Sequence, residues 1–299
     1  MRVQLEGIIN RALAEDVGEG DVTTEALIAG EQQGAGIIVA KQEGILAGIE
    51  VAKQVFLRVD PRLSFEPFLE DGARVKPHST VARVTGNITS ILKAERVALN
   101  FLQRLSGIAS QTNRYVKTVR GLRVRIMDTR KTTPGLRVLE KYAVRVGGGH
   151  NHRMSLSDGI LIKDNHLAAL RSQGLGIRET VARAREEARV SLRGVKGRSR
   201  LQDRRMQVEV EVRTMSEALE AVEAGADIVM LDNMQLDDMR RAVESVHGRA
   251  LIEASGGITL ENVRAVAETG VDLISIGALT HSVKALDISL EFEMIGKQG

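Results

Sequence analysis

Residues 227–254, DIVMLDNMQLDDMRRAVESVHGRALIEA, decide the fold. An apolar strand at Asp227–Leu231 precedes a helical pattern at Leu236–Val246, and a second apolar strand follows at Ala250–Ala254. Strand–helix–strand units of this length pair their strands in parallel, with the helix crossing over the sheet. The alternation continues on both sides, with strands predicted at Arg123–Asp128, Ala143–Val146, Gly159–Lys163, Gln207–Val212 and Leu273–Ile276, and helices at Ser216–Ala224 and Leu260–Thr269.

Polar residues or glycines stand at the ends of six of these strands. The number of such strand ends distinguishes a barrel from an open sheet. An open sheet collects its ligands mainly near one switch point, whereas the strands of a barrel converge on one mouth. Six such strand ends favour the barrel, so we predict an incomplete α/β barrel of about seven strands over residues 113–281. The six positions are Asp128, Lys163, Glu211, Asp232, Ser255 and Gly277.

The first 112 residues have a different pattern. A helix is predicted at Val3–Val17, and residues 34–90 contain short apolar runs separated by Gly and Pro, with one helix near Ile49–Val59. A long helical pattern then runs from about Ile91 to Val119. We therefore predict an N-terminal α+β domain over residues 1–112, and a C-terminal helix over residues 282–299 that packs back on it.

The composition of the 299 residues excludes several classes of protein. Hydrophobic residues make up 43% and charged residues 27%, as in ordinary globular chains. No apolar run reaches the roughly 18 to 20 residues that span a bilayer, and the charged N-terminus is unlike a signal peptide. The chain has no cysteine, so we expect a cytoplasmic protein without disulfides. Five Phe, two Tyr and no Trp argue against a nucleic-acid stacking surface.

Three motifs concentrate cations that suit a small anionic substrate. Residues 128–135, DTRKTTPG, place Arg130 and Lys131 in a strand-to-helix turn, where a solvated basic loop is the alternative. Residues 147–153, GGGHNHR, place His152 and Arg153 after three glycines; a zinc site is disfavoured because no third His or Cys lies nearby. Lys163 ends an apolar strand and would form a Schiff base, neutralise an anion or make a structural salt bridge.

Acidic residues and glycines complete the predicted mouth. Glu209 and Glu211 alternate with valine and therefore share one face of their strand. Glu211 and Asp232 then pair with Mg²⁺ or with lysines, because Mg²⁺ prefers oxygen ligands. Glycine residues at strand ends leave backbone N–H groups accessible to a phosphate. Two consecutive strands end in such glycine-containing segments. These are Ser255, Gly256 and Gly257 in the first segment, and Gly277 and His281 in the second.

The order of these motifs along the chain resembles that of the quinolinate phosphoribosyltransferase family. The motifs are ALAEDVGEGDVTT (12–24), ERVALNFLQRLSGIA (95–109), DTRKTTPGLR (128–137), GGGHNHR (147–153), IKDNH (162–166), LDN (231–233) and SGGI (255–258). The resemblance implies a pentosyltransferase that converts quinolinate and phosphoribosyl pyrophosphate (PRPP) into nicotinate mononucleotide, pyrophosphate and CO₂. It runs along nearly the whole chain, and it also implies Mg²⁺ as cofactor.

The resemblance further assigns roles to individual residues. It implies a quinolinate pocket of Arg130, His152, Arg153 and Lys163, with Arg104 entering from a neighbouring subunit of a homodimer or larger homo-oligomer. Lys131 contacts PRPP, and we expect catalytic roles for Lys131, Lys163, Glu211 and Asp232. Glu211 and Asp232 contact the ribose hydroxyls and Mg²⁺, directly or indirectly. The phosphate is surrounded by Ser255, Gly256, Gly257, Gly277 and His281.

Two departures from the family pattern and two rival functions stand beside this interpretation. Residues 192–205 are rich in Arg and Lys and form a longer connection than is usual, and His78 replaces a usual glycine. A related pyrophosphorylase-like protein associated with molybdenum transport is the nearest rival, but the complete cationic set suits a dicarboxylate better. An RNA-binding protein that uses residues 192–205 is the rival from another class. We expect no nucleic-acid or membrane partner.

Overall fold

The computed structural model describes residues 2–28, 30–194 and 206–293. Its helices are α1 (Arg2–Val17), α2 (Val22–Leu27), α3 (Ile49–Val59), α4 (Ile88–Thr118), α5 (Arg137–Val146), α6 (Asp164–Arg171), α7 (Ile177–Gly194), α8 (Met215–Glu223), α9 (Leu236–Val246), α10 (Val263–Ala267) and α11 (Ala278–His281). Its strands are β1 (Gln33–Ala40), β2 (Gly44–Ile45), β3 (Ser64–Pro67), β4 (Arg74–Val75), β5 (Thr80–Asn87), β6 (Arg125–Met127), β7 (Ile160–Ile162), β8 (Val208–Val212), β9 (Ile228–Asp232), β10 (Leu251–Ser255), β11 (Leu273–Ser275) and β12 (Ile288–Glu293).

The chain forms two compact units, and it passes between them more often than the sequence pattern predicts. The first unit contains residues 1–113, 131–148 and 278–299, and the second contains 114–130 and 149–277. The predicted boundary near residue 112 matches the first crossing. The segment 131–148 then belongs to the first unit, because periodicity shows where a helix lies but not which core it joins.

The first unit is built around an antiparallel sheet in the order β12-β1-β5-β3. Strand β1 lies inside this sheet, where six of its eight residues are buried. Its helices bury apolar stripes, and the 31-residue α4 is much the longest. Asp21 caps α2 by accepting a hydrogen bond from the Thr24 N–H at 3.0 Å. The antiparallel sheet and its helices confirm the predicted α+β character of the N-terminal region.

The predicted C-terminal helix over residues 282–299 is wrong where the structure describes it. Residues 288–293, ISLEFE, form β12, which pairs antiparallel with β1 so that Leu290 lies opposite Ile38. The physical reason is the alternation of Ile288, Leu290 and Phe292 with polar residues, a period of two that suits a strand. The prediction that this segment returns to the first unit agrees with the pairing.

The second unit is a six-stranded parallel sheet in the order β6-β11-β10-β9-β8-β7. Helices α8 and α9 cross between β8, β9 and β10, as the opening motif predicts, and all pairings in this sheet are parallel. A single parallel bridge joins Met127 to His150 beside β6. The unit is therefore an incomplete α/β barrel.

The predicted strand at Ala143–Val146 is wrong, because these residues form the last turn of α5. Leu139, Ala143 and Val144 are buried on one face of this helix, at helical spacing. A run as short as Ala-Val-Arg-Val, with three apolar residues and one arginine, fits a strand or a buried helix equally well. Six strands and the His150 bridge take the place of the predicted seven strands.

The strand ends lie where the sequence predicts them. Asp128 and Lys163 directly follow β6 and β7, Glu211 is the penultimate residue of β8, and Asp232 and Ser255 end β9 and β10. Among the described residues, no helix combines the length and the apolar character needed to cross a bilayer. The basic segment 192–205 lies, apart from the end of α7, outside the described residues.

Candidate active site

An acidic pair lies at the carboxyl edge of the parallel sheet. The side chains of Glu211 and Asp232 are 13% and 19% exposed, and Lys163 Nζ lies 4.0 Å from Glu211 Oε2. Burial raises the pKa of Glu211, and the negative charge of Asp232 adds to this, while Lys163 opposes it. The three residues that sequence reasoning placed together are therefore neighbours, and the carboxylates favour a cation between them.

Sequence reasoning missed a second cation beside this pair. Arg213 follows β8 directly; its Nε lies 3.7 Å from Asp232 Oδ2, and its Nη2 donates to Asp164 Oδ2 at 2.8 Å. The side chain of Arg213 is 62% exposed. The sequence signal for Arg213 was its position directly after the last residue of an apolar strand. The positive charge of Arg213 offsets part of the acidic charge at this edge.

The turn after β10 is held by a contact that permits only glycine. Asn233 has a left-handed φ of 56°, and its N–H donates to Ser255 O at 2.9 Å. Gly256 and Gly257 also have left-handed φ values, of 88° and 61°. A Cβ atom on Gly256 would lie 2.3 Å from Asn233 Oδ1. The same Asn233 side chain donates to Asp232 Oδ1 at 3.0 Å, so this turn also orients the acidic pair.

Gly256→Ala should therefore damage both stability and turnover. The left-handed backbone costs an L side chain on the order of 1 kcal/mol, and the clash displaces the Asn233 amide from Asp232. We expect a lower melting temperature and a higher KM for the phosphate-bearing substrate. Gly248→Ala is the matched control, because Gly248 also has a left-handed φ but a Cβ atom there would meet no other atom within 4 Å. Equal effects of the two changes on that KM would contradict this role.

Three cationic residues lie in the segments that follow β6 and precede β7. They are Arg130, His152 and Arg153. The buried Asp128 carboxylate accepts the backbone N–H of His152 at 2.9 Å. Arg153 Nη1 donates to Gly159 O at 3.0 Å. Burial lowers the pKa of Arg153, and the positive charge of Arg130 lowers it further. Neighbouring guanidinium groups that disfavour each other's charge are stabilised by an anionic ligand.

A buried cluster of His152, Glu209 and Glu253 lies inside the barrel. His152 Nε2 is 3.0 Å from Glu209 Oε2 and 3.7 Å from Glu253 Oε2. Sequence reasoning noted Glu209 but missed Glu253, although a carboxylate two residues before Ser255 on an apolar strand shares its face. Below the cluster is a cavity of about 730 Å³, lined by the first residues of five strands. These are Arg125, Ile160, Ile228, Leu251 and Leu273.

The buried acid makes the stability of the protein depend on pH. Burial raises the pKa of Glu253 above its usual 4.5, with a further contribution from Glu209. The folded protein therefore holds a proton that the unfolded chain has lost, so its stability falls as the pH rises above 4.5. Glu253→Gln, which cannot ionise, should flatten this fall in melting temperature between pH 5 and 9. Parallel curves for the two proteins would contradict the assignment.

Three of the predicted site residues belong to the first unit, namely Arg104, Lys131 and His281. Lys131 is exposed, and its carbonyl accepts the Thr280 hydroxyl at 2.8 Å. His281 is exposed, and its Nδ1 lies 2.6 Å from Ser282 Oγ. Arg104 lies on α4, and its guanidinium pairs with the buried Glu140 carboxylate at 2.8 Å.

Arg104 makes polar contacts within its own chain. Its Nη2 donates to Glu140 Oε1, to Thr133 Oγ1 at 3.1 Å and to Thr280 O at 2.7 Å. The pairing follows from Glu140, because its fully buried carboxylate requires a cation. The entry of Arg104 into a neighbouring subunit's site stays a prediction.

The fold and the strand-end residues together define a class: a barrel enzyme whose mouth combines carboxylates with cations for an anionic substrate. Comparison with known proteins makes this specific. Residues 21–106 match the N-terminal domain model of quinolinate phosphoribosyl transferase, and residues 108–291 match the C-terminal domain model. The chain belongs to the quinolinate phosphoribosyltransferase family.

Individual relatives agree along almost the full chain. A probable nicotinate-nucleotide pyrophosphorylase (carboxylating) of Bacillus subtilis is 43% identical, over 97% of this chain and 93% of its own length. The mitochondrial quinolinate phosphoribosyltransferase (decarboxylating) 2a of Nicotiana tabacum is 41% identical, over 97% and 82%. A nicotinate-nucleotide pyrophosphorylase structure from Francisella tularensis is 37% identical with a TM-score of 0.88, covering 98% of this chain and 97% of that one.

Proposed function

We propose that this chain transfers the phosphoribosyl group of PRPP to quinolinate with loss of CO₂, which yields nicotinate mononucleotide and pyrophosphate for NAD biosynthesis. The observation that carries this is the joint occurrence, in one barrel, of a carboxylate pair and a set of cations. Both family domain models match in order along the chain, which supports the same reaction.

The cations are assigned to the two carboxylates of quinolinate. The positive charge of Arg130 disfavours that of Arg153, so a bound dianion would relieve the repulsion. His152 and Lys163 add two more cationic groups at neighbouring strand ends. Lys131 is assigned to PRPP, and Ser255, Gly256, Gly257, Gly277 and His281 to its phosphate. The left-handed glycines support this assignment because they leave backbone N–H groups uncovered.

The donor chemistry of the acidic pair fits Mg²⁺. Glu211 and Asp232 offer hard carboxylate oxygens, and the burial that raises the pKa of Glu211 indicates that its negative charge is undercompensated by protein groups. Glu211 and Asp232 would hold the ion, directly or through water. When bound with PRPP, Mg²⁺ stabilises negative charge on the leaving pyrophosphate.

The side chains of this chain act on both halves of the reaction. The quinolinate nitrogen attacks the anomeric carbon of the ribose as pyrophosphate leaves, and positive charge grows on the ribose. Glu211 and Asp232 bind the ribose hydroxyls and offset that charge. The alkylated ring is cationic, so the carboxylate on the adjacent carbon leaves as CO₂; the electron pair of the broken C–C bond stays on that ring carbon, which then takes a proton from solvent. Arg130, His152, Arg153 and Lys163 hold the dianion in the orientation that attack requires.

Assembly into a homodimer or larger homo-oligomer is part of the proposal. It follows from the family resemblance, and size-exclusion chromatography with light scattering tests it. Arg104 is proposed to enter the quinolinate site of the neighbouring subunit, beside its intrachain contact with Glu140.

Substrate choice tests the proposed function. Nicotinate and nicotinamide leave part of the cationic charge of the site uncompensated, so we expect quinolinate to be used and both analogues to be poor substrates. The measurement is nucleotide formation by the purified protein with PRPP, Mg²⁺ and each pyridine in turn. Comparable turnover of nicotinate would overturn the assignment.

A further inference from the structure

The buried cluster of His152, Glu209 and Glu253 contains two acids to which the proposed function gives no role. The side chains of Glu209 and Glu253 are 6% and 0% exposed, and the ligand atoms of all three residues lie within 4.8 Å of one another. Buried carboxylates are costly unless they are paired or protonated. Two of them beside one histidine therefore need a physical explanation.

The surroundings of the two acids differ. Glu253 Oε1 accepts the hydroxyl hydrogen of Ser275, and burial together with the charge of Glu209 raises the pKa of Glu253. Glu209 is closer to the imidazole, at 3.0 Å. Among the described residues, Glu209 Oε1 and Glu253 Oε2 have no hydrogen-bond partner. The crowding of two buried acids favours a proton on Glu253, while Glu209 lies at hydrogen-bond distance from the His152 ring.

The cluster occupies a level of the barrel below the acidic pair at the mouth. Glu209 precedes Glu211 by two residues on the same strand face, which places it roughly 7 Å toward the amino ends. The cavity at the amino ends has both Glu209 and Glu253 in its lining. The cluster thus forms the floor of the mouth. Among the described residues, charged groups around the cluster include Asp128, which accepts the backbone N–H of His152, and Arg153, which is itself influenced by Arg130, Glu209 and Asp158.

We propose that Glu209 is a positioning residue that fixes the ring of His152 and keeps it cationic for the dicarboxylate substrate, while Glu253 serves as a neutral acid beside it. The inference rests on the proposed role of His152 in binding quinolinate. An ionised carboxylate at hydrogen-bond distance favours the charged form of an imidazole and restricts its orientation. Glu209 itself does not touch substrate.

The isosteric variants of Glu209 and Glu253 should affect the KM for quinolinate differently. Glu209→Gln removes the charge that stabilises the imidazolium, so the KM for quinolinate should rise about tenfold, the effect of losing one charge-assisted contact. The KM for PRPP should change less than about twofold. Glu253→Gln imitates the neutral acid and should leave both values within about twofold. Asp227→Asn is the matched control, because Asp227 is also a partly buried carboxylate in this unit, pairing with Arg185 and the Val208 N–H.

A spectroscopic measurement separates positioning from general loss of structure. Nitrogen-15 spectra of the histidine-labelled protein at pH 7, assigned with His152→Gln, should show a doubly protonated ring in wild type and in Glu253→Gln. Glu209→Gln should show a neutral ring. Melting curves of all variants establish that they fold. A neutral ring in wild type, or an unchanged KM for quinolinate in Glu209→Gln, would overturn the inference.

The failure of this inference is distinguishable from failure of the proposed function. If His152→Gln raises the KM for quinolinate but Glu209→Gln does not, the positioning role alone fails. If neither change raises it, His152 is not a quinolinate ligand. The three groups could also hold a transition metal. Stoichiometric binding of Zn²⁺ or Mn²⁺ without substrates, lost equally in both Glu variants, would replace the positioning role with a metal site.

Discussion

Glu211→Gln and Asp232→Asn should each lower kcat by about 10²-fold or more, the scale of losing a preorganised charge contact in a transition state. Both carboxylates lie at the carboxyl edge of the barrel, and Asn233 orients Asp232. Their proposed roles concern the ribose and Mg²⁺, so quinolinate binding should remain close to wild type. The Mg²⁺ concentration for half-maximal rate should rise. Steady-state kinetics, a Mg²⁺ titration and calorimetry with quinolinate measure these quantities.

Asp237→Asn is the control for the loss of one acidic charge. Its side chain is 89% exposed and pairs only locally with Arg240 on α9 among the described contacts. This variant should behave as wild type. Turnover near that of wild type in the Glu211 and Asp232 variants, with an unchanged Mg²⁺ dependence, would assign both residues a structural role instead.

Arg104→Ala should destabilise the protein by about 3–5 kcal/mol, because it leaves a buried carboxylate without its cation. The side chain of Glu140 is fully buried, and the guanidinium of Arg104 makes two contacts with it. Arg104→Lys keeps the charge but loses the two-pronged geometry, so its loss of stability should be smaller. The free energy of unfolding, measured by denaturant titration, tests both.

A mixing experiment tests the expected entry of Arg104 into a neighbouring subunit's site. Arg104→Ala and Lys163→Ala should each have little activity alone and should regain part of it when mixed, through heterodimers. If exchange of subunits is verified and no activity returns, the shared site is contradicted and Arg104 keeps only its intrachain contact with Glu140.

The barrel could be predicted from sequence because its evidence is local. Apolar strands at Ile228–Asp232 and Leu251–Ser255 flank an amphipathic helix, and functional residues directly follow such strands. The prediction for Ala143–Val146 is wrong because three apolar residues in so short a segment satisfy two periodicities. Residues 288–293 show the opposite case, since their alternation of apolar and polar residues is itself typical of a strand and outweighs the helical interpretation.

The candidate site likewise contains residues whose placement the sequence predicts and residues whose placement it does not. Lys163, Glu211 and Asp232 are neighbours because adjacent strands end together, a consequence of the parallel fold. The partner of Arg104 could not be predicted, because Glu140 lies 36 positions away and no periodicity joins a residue of α4 to one of α5. Glu253 was missed because an acid inside an apolar strand gives no sign of its burial until the neighbouring strands are paired.

Release of CO₂ tests the central claim most directly. Quinolinate labelled with carbon-14 in the carboxylate next to the ring nitrogen is incubated with the purified protein, PRPP and Mg²⁺, and trapped CO₂ and nicotinate mononucleotide are measured together. The proposed function predicts equal molar amounts of both, with no release when PRPP is omitted. Nucleotide that retains the label, or CO₂ release that does not depend on PRPP, would contradict it.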